Sequence, residues 1–132
     1  MKLPQASRDK LKFVHPDLVK VVERAAKISK LDFIVTEGAR TVAQQKINVA
    51  KGASQTMRSR HIPSSNKCKM ACAVDIAPVI SGKVRWDWPL FYVLAETMQQ
   101  AAKDVGVPLE SGAYWKKFKD GPHHQLPWKQ YP

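Results

Sequence analysis

The sequence predicts a single α+β domain. Apolar residues recur at helical spacing in two long segments, residues 16–29 and 87–106. Short runs rich in β-branched and aromatic residues, at 31–36 and 71–80, have the length and composition of strands. Because 132 residues suffice for one modest hydrophobic core, and no repeat or linker divides them, we expect one domain over residues 1–132.

Three helices are expected. Pro16 is well placed as the first residue of a helix, which runs to about Ser29 with an apolar stripe at Leu18, Val21, Val22, Ala25 and Ile28. Thr41 with Gln44 is a plausible capping box for a second helix, which runs to Ala50 and stops before Gly52. Asp87 is expected to cap the third helix, and Gly106 to end it. Residues 1–14 form a basic lead-in with room for one short further helix.

Short strands are expected at five places, namely 31–36, 71–80, 83–86, 107–110 and 124–128. Ser81-Gly82 is a hairpin turn between the second and third of these. Residues 53–70 are polar and show no period, which predicts a long irregular loop; a loop of this length in a compact domain is usually functional or mobile.

The composition points to a polyanionic partner. The 22 basic and 11 acidic residues give a net charge of +11, which suits nucleic acid, anionic lipid or an anionic bacterial wall alike. A specific nucleic-acid partner is not expected because no such binding signature accompanies the charge. We expect no membrane insertion and no signal peptide, since no apolar run has the required length. Cys68 and Cys72 are too few for a disulfide scaffold; we expect plain thiols, with a local disulfide or redox role as alternatives.

Three polar clusters supply the parts of a catalytic zinc site. Ser59-Arg60-His61 lies in the predicted loop, Asp75 interrupts an apolar strand, and Asp120 precedes His123 by three residues. Two histidines and an aspartate provide three N/O ligands, and the second acid can take a proton from water. His123 and His124 are adjacent, so only one of them faces a given site from an extended strand.

Each of these residues also has a purely structural explanation. Asp75 alone is equally consistent with a buried ion pair, since a buried carboxylate must be paired or ligated. His61 alone is more often a solvated histidine, and Asp120 alone could be a turn cap. The combination favours the metal site because the ligand set is complete and a spare acid accompanies it.

The same residues resemble the phage endolysins that are L-alanyl-D-glutamate peptidases, relatives of the zinc D-Ala-D-Ala carboxypeptidases (VanY-like) and dipeptidases. That family has Ser-x-His, then Gly-x-Ala-x-Asp, then an acid-x-x-His. The matching segments here are Ser59-Arg60-His61, Ala73-Val74-Asp75 and Asp120-Gly121-Pro122-His123. The segment Gly38-Ala39-Arg40-Thr41 resembles the family's Gly-x-Arg-Thr, and the resemblance extends over nearly the whole chain.

The resemblance implies a fold and a set of roles. It implies a small, mainly antiparallel sheet with about three packed helices, as in Hedgehog and D,D-peptidase domains. Zn²⁺ would be held by His61, Asp75 and His123, and Asp120 would be the general base and acid. Arg40 would serve catalysis and face the substrate, and Ser59 would contact the peptide. His124 would pack or support the ligands.

Two departures from the family pattern are visible. Thirteen residues, Ile62 to Val74, separate the first histidine from the aspartate, where the family commonly has six. Ala71 stands in place of the pattern's glycine. We expect a looped-out insertion that leaves His61 in place and shapes access of the substrate; a changed His61 loop with the same Asp75 register is the alternative.

The resemblance therefore implies a monomeric zinc endolysin that cuts the L-Ala–D-Glu bond of peptidoglycan stem peptides. It would have one catalytic domain and no separate wall-binding domain, and would be made in the host cytoplasm and released when a holin permeabilises the membrane. Three alternatives stay open. They are a D,D- or L,D-carboxypeptidase with the same zinc site, a wall-binding module with a structural or vestigial zinc, and a basic nucleic-acid-binding protein.

Overall fold

A five-stranded antiparallel sheet lies at the centre of the molecule. The structure, a computed structural model, describes residues 1–53 and 58–132. The strands are β1 (Phe33–Glu37), β2 (Ala73–Ile80), β3 (Lys83–Val84), β4 (Glu110–Ser111) and β5 (His123–Gln125). The sheet has the order β1-β2-β5-β4, and β3 pairs with the far end of β2. Strand β2 therefore has a neighbour on both sides, which fixes the direction of every side chain along it.

The described residues also form four helices, namely α1 (Gln5–Lys10), α2 (Pro16–Ile28), α3 (Val42–Ala50) and α4 (Trp88–Val105). The short α1 occupies part of the basic lead-in, so the structure has one helix more than the three expected. Thr41 caps α3 by accepting a hydrogen bond from the Gln44 backbone N–H at 3.0 Å. The Gln44 side chain donates through its Nε2 to Asn48 Oδ1, one turn further along α3. No helix in the described part of the chain is long and apolar enough to span a membrane.

The hydrophobic core lies between the helices and one face of the sheet. The apolar stripes of α2 and α4 meet alternate residues of β1 and β2 there, and its members include Leu18, Val22, Phe33, Val35, Val74, Ile76, Leu94 and Met98. Because side chains alternate along a strand, the residue between Val74 and Ile76 must point to the opposite face. That residue is Asp75, so an otherwise apolar strand presents a carboxylate on the face of the sheet opposite the core.

The turns follow the sequence prediction, whereas some strand limits do not. Ser81 and Gly82 both adopt left-handed backbone, φ 52° and 77°, as a two-residue hairpin turn requires. Residues 107–109 are not a strand, because the Val107 N–H still bonds the Ala102 carbonyl at the end of α4. The last strand ends at Gln125 rather than Trp128, since Pro127 has no N–H to continue the ladder. Of the loop predicted at 53–70, residues 54–57 lie outside the described residues, and Pro63–Ser65 form a 3₁₀ turn.

Candidate active site

Strand pairing brings Asp75 and His123 together. Asp75 is the direct partner of His123 in the β2–β5 ladder, so both side chains project from the same face of the sheet. Asp75 Oδ1 lies 3.3 Å from His123 Nδ1. The neighbouring pair, Val74 and His124, points into the core instead. The alternation predicted for the two adjacent histidines is thus what the sheet produces.

His61 reaches the same point from the loop before β2. Its Nε2 lies 3.1 Å from Asp75 Oδ1, and its side chain is buried. Two backbone contacts position it. Ser59 Oγ accepts a hydrogen bond from the His61 N–H at 3.2 Å, and the His61 carbonyl accepts one from the Arg40 N–H at 2.7 Å. Ser59 therefore shapes the turn that carries His61, and it also lines the cleft described below.

Hydrogen bonds to the outer ring nitrogens set the tautomer of each histidine. His61 Nδ1 is 2.8 Å from the Gly38 carbonyl oxygen, and His123 Nε2 is 2.7 Å from Gln125 Oε1. Since both partners are acceptors, each of these nitrogens carries the proton and donates it. The remaining nitrogens, His61 Nε2 and His123 Nδ1, then present lone pairs toward Asp75. A hydrogen bond behind each ring is the usual support of a metal-binding histidine.

The electrostatics of this cluster favour a positive charge at its centre. Burial raises the pKa of Asp75, but the charges and hydrogen bonds of His61 and His123 outweigh burial and bring the pKa well below its ordinary value. Burial likewise lowers the pKa of His123, and the hydrogen bond and charge of Asp75 outweigh that effect, so the pKa is raised. Two lone pairs and a carboxylate oxygen facing one another need either a proton or a cation between them.

The donor set fits a metal ion. One ligand atom from each of His61, Asp75 and His123 lies within 4.8 Å of the other two. The atoms are two imidazole nitrogens and one carboxylate oxygen, a combination that binds zinc with a position left for water. These residues come from a loop and two paired strands, so the sheet rather than a local motif determines their separation.

Asp120 lies beside this cluster. Its Oδ2 is 4.0 Å from His123 Nδ1, and its side chain is partly exposed in the cleft. Burial, together with the negative charge of Asp75, raises the pKa of the Asp120 carboxyl above its ordinary value. Gly112 allows the backbone of Asp120 to pack closely against it, because a Cβ at this position would come within 2.4 Å of the Asp120 carbonyl oxygen. The Gly112 carbonyl also accepts the Asp120 N–H at 3.1 Å.

Arg40 lines the same cleft but is occupied by protein partners. Its Nε and Nη2 bond both carboxylate oxygens of Glu37, at 2.5 and 2.6 Å, and its Nη1 bonds Gln45 Oε1 at 2.5 Å. This bidentate pairing directs the guanidinium and limits its movement. Glu37 and Gln45 were not singled out from the sequence. Glu37 ends β1 three residues before Arg40, a spacing that could have indicated the pair.

The cluster opens into a cleft of about 900 Å³. Its walls combine charged and aromatic side chains from distant segments, including Arg58, Trp115, Phe118, Lys119 and Trp128. This size and mixture suit a peptide, whose backbone and side chains need both polar and apolar contacts.

The 13 residues between His61 and Asp75, where we expect an insertion, include a loop anchored by Arg60. This side chain is buried and donates to Asn66 Oδ1 at 2.5 Å and to the Leu126 carbonyl at 2.9 Å. Its guanidinium also stacks on Trp128, 3.9 Å from the ring centroid. Asn66 in turn donates to the Met70 carbonyl at 2.8 Å. The insertion is thus tied to the segment after β5, which keeps His61 next to the two strand ligands.

The two cysteines lie in this loop and are both free thiols. Their sulfur atoms are 3.8 Å apart, with Cys68 exposed and Cys72 buried. Burial raises the pKa of Cys72 to about 12. Burial thus favours the protonated thiol of Cys72 at neutral pH.

Comparisons with known proteins agree with the geometry. The family model described as phage L-alanyl-D-glutamate peptidase matches residues 1–126. The L-alanyl-D-glutamate peptidase of Escherichia phage T5 is 37% identical over 123 residues, covering 90% of this chain and 85% of the relative.

Two solved structures resemble this one. The Serratia marcescens L-Ala D-Glu endopeptidase ChiX superposes with a TM-score of 0.83 at 40% identity, covering 94% of this chain and 88% of that one. The D,D-dipeptidase VanXYg has a TM-score of 0.51 at 12% identity over 86% of this chain and 50% of that one, which shows a shared fold alone. The predicted fold class and the resemblance to this family are both confirmed. The chain therefore belongs to the phage L-alanyl-D-glutamate peptidase family, and it is a peptidase.

Proposed function

We propose that this peptidase is a zinc-dependent endolysin that hydrolyses the L-Ala–D-Glu bond in peptidoglycan stem peptides. The observation that carries the proposal is the convergence of His61, Asp75 and His123 with a second carboxylate, Asp120, beside them. The relatives from phage T5 and Serratia marcescens are named for this bond. A ligand set with an adjacent free acid is what hydrolysis requires and a purely structural metal does not.

His61, Asp75 and His123 would hold the ion in this proposal. Gly38 and Gln125 keep the two imidazoles in the tautomers that leave His61 Nε2 and His123 Nδ1 free to ligate. Zinc, when bound, lowers the pKa of water and polarises the scissile carbonyl.

Asp120 would act as general base and then general acid. Its carboxylate would accept a proton from the attacking water and pass that proton to the departing amino group of D-Glu. A raised pKa suits both steps, because a carboxyl with a higher pKa is a stronger base and donates nearer neutral pH.

Arg40 and Ser59 would contact the substrate. Arg40 lies in the cleft wall with its guanidinium fixed by Glu37 and Gln45, so its remaining surface can face a substrate carboxylate or a developing oxyanion. Ser59 lines the cleft beside His61 and would bond the peptide backbone.

The partner in this proposal is the anionic bacterial wall. The net charge of +11 raises the local concentration of the enzyme at an anionic polymer. Action as a monomer, and release from the host cytoplasm through a membrane permeabilised by a holin, follow from the family resemblance.

Digestion of purified peptidoglycan with and without a zinc chelator, followed by mass spectrometry, tests the proposal. New N-terminal D-Glu ends that vanish with chelator and return with added zinc are expected. Release of D-Ala would replace the proposal with a carboxypeptidase that has the same site. Zinc binding without any product would replace it with a wall-binding module.

A further inference from the structure

A row of exposed aromatic side chains lies next to the cleft. We call the row formed by Trp86, Trp88, Tyr92, Tyr114 and Phe118 the aromatic ridge; each of these residues is between 36% and 73% exposed. They come from three segments, namely the end of the β3 hairpin, the first turns of α4, and the loop after β4. Large exposed aromatic surfaces are uncommon on a soluble domain and usually mark a binding site.

Ring contacts hold four members of the ridge, either with one another or through Phe91. Trp88 and Tyr92, four residues apart on α4, have centroids 6.0 Å apart, and Tyr92 stacks on Tyr114 at 6.2 Å. Trp86 and Trp88 both pack on Phe91, which is buried beneath them. These contacts fix the ring orientations in advance, so little conformational entropy is lost when a ligand binds.

The ridge continues into the wall of the cleft. Lys119 Nζ donates to the Tyr92 hydroxyl at 3.2 Å, and both Lys119 and Phe118 line the cleft. A ligand that leaves the cleft past Phe118 and Lys119 therefore meets Tyr92 and then Trp88. Lys119 also places a positive charge at this junction.

The chemistry of peptidoglycan requires a sugar close to the scissile bond. L-Ala is the first residue of the stem peptide and is joined by an amide to the lactyl group of N-acetylmuramic acid. One extended residue spans only ~3.5 Å. When the L-Ala–D-Glu bond lies in the cleft, the glycan strand must consequently run over the surface that adjoins it.

We propose that the aromatic ridge binds the glycan strand of peptidoglycan. This inference rests on the proposed function and identifies which part of the substrate lies outside the cleft. The C–H faces of pyranose rings carry partial positive charge and stack on the electron-rich faces of Trp and Tyr. The hydroxyl groups of Tyr92 and Tyr114 can bond sugar hydroxyls at the edge of such a stack, and Lys119 complements the carboxylates of the wall.

Removing ring faces should weaken action on glycan-linked substrate alone. Zinc-loaded Tyr92→Ala and Trp88→Ala variants are compared with the parent on glycan strands bearing stem peptides and on the free tripeptide L-Ala-γ-D-Glu-meso-diaminopimelate. We expect kcat/KM to fall about tenfold for the glycan-linked substrate, the effect of one lost stacking contact, and to be unchanged for the tripeptide. Tyr92→Phe keeps the ring and should retain at least most of the rate.

A control variant separates this effect from the general loss of an exposed ring. The midpoint of thermal unfolding of each variant separates it from misfolding. Phe13→Ala removes another exposed aromatic, 74% exposed and absent from the cleft walls, and should change neither rate. An equal fall on both substrates, or no fall on either, would overturn the ridge as a glycan site.

Sedimentation with purified sacculi reads binding independently of cleavage. In a zinc-loaded Asp120→Asn background, the chain should pellet with sacculi, and Tyr92→Ala should reduce the bound fraction. If the parent cleaves neither substrate but this difference persists, the proposed function fails and the ridge inference stands. If the ridge variants instead lose binding to phosphatidylglycerol vesicles and keep sacculus binding, the ridge is a membrane-binding surface and the inference is wrong.

Discussion

The two faces of β5 place two neighbouring histidines in opposite electrostatic environments. On the cleft face, His123 meets the carboxylate of Asp75, and its pKa is raised despite burial. On the core face, His124 is fully buried, its Nδ1 bonds Ser111 Oγ at 2.9 Å, and burial lowers its pKa to about 3. His124 Nε2 has no hydrogen-bond partner among the residues that the structure describes.

This difference teaches that residue type does not define a ligand. One residue step along a strand exchanges a charged partner for a hydrocarbon environment. His123 is surrounded by groups that stabilise a positive charge, whereas His124 must stay neutral. Only the environment of His123 would stabilise a bound metal ion.

The largest contrast is expected from removing each imidazole in turn. His123→Ala should lose bound zinc and with it all measurable wall hydrolysis, because only two ligands remain. His124→Ala should keep most of the zinc, although it will lower stability by leaving a cavity. Zinc content after gel filtration, measured by mass spectrometry of the metal, checks this. The reverse outcome would move the register of β5 by one residue.

A second experiment asks whether the cleft face carries the base as well as the ligands. Asp120→Ala should lower kcat by about 10²–10⁴-fold if this carboxylate transfers the proton. Zinc content should be unchanged, since Asp120 is not one of the three converging ligands. Asp120→Asn, of the same shape, is the matched control for steric effects and should be nearly as inactive. Parental rates in either variant would remove Asp120 from the mechanism.

Zinc removal should lower the free energy of unfolding, and this effect should depend on His123 on the cleft face of β5 and not on His124 on the core face. A ligand present at 100 times its Kd stabilises the native state by about 2.7 kcal/mol. The free energy of unfolding, measured with zinc buffered at that level and then with chelator, should differ by this amount. The difference should disappear in His123→Ala and persist in His124→Ala. An equal zinc effect in both variants would place the ion elsewhere.

The last prediction concerns the pH dependence of stability that comes from the core face. The unfolded His124 titrates near its ordinary pKa of about 6.5, whereas the folded residue stays neutral to about 3. Below pH 6.5 the unfolded state therefore binds more protons, and stability falls as pH falls, by up to about 1.4 kcal/mol per pH unit from this group. Chemical denaturation of the metal-free protein between pH 4 and 6.5, compared with metal-free His124→Gln, measures the contribution of His124 to the pH dependence of stability. Equal slopes in the two proteins would mean that His124 titrates normally when folded.

The part of the site built on the sheet could be predicted from the sequence. An aspartate within an apolar strand and an acid three residues before a histidine are local signals, and strand alternation then separates His123 from His124. The hairpin turn at Ser81 and Gly82 and the end of α4 at Gly106 were equally local. Each of these features depends on residues close together in the chain.

The rest depends on contacts between distant segments. Arg60 is a buried cation that ties the inserted loop to the carbonyl of Leu126, and no local pattern indicates that pairing. Gly38 and Gln125, which set the tautomers, act through a carbonyl and an amide that any loop or strand could provide. Of these two residues, Gln125 had a usable signal, because it lies two residues after His123 and so on the same face of β5.

The pairing of Asp75 with His123 also determines when the site can form during folding. The chain between these two residues contains the β3 hairpin and the whole of α4. Bringing the two ends of so long a segment together is slow, because the segment loses conformational entropy before the hydrogen bonds between β2 and β5 can form. A chain in which β1 has paired with β2 but β5 has not would lack the third ligand, His123. Binding of a metal by all three residues therefore requires this long-range pairing, and a chain that has not made it lacks a ligand.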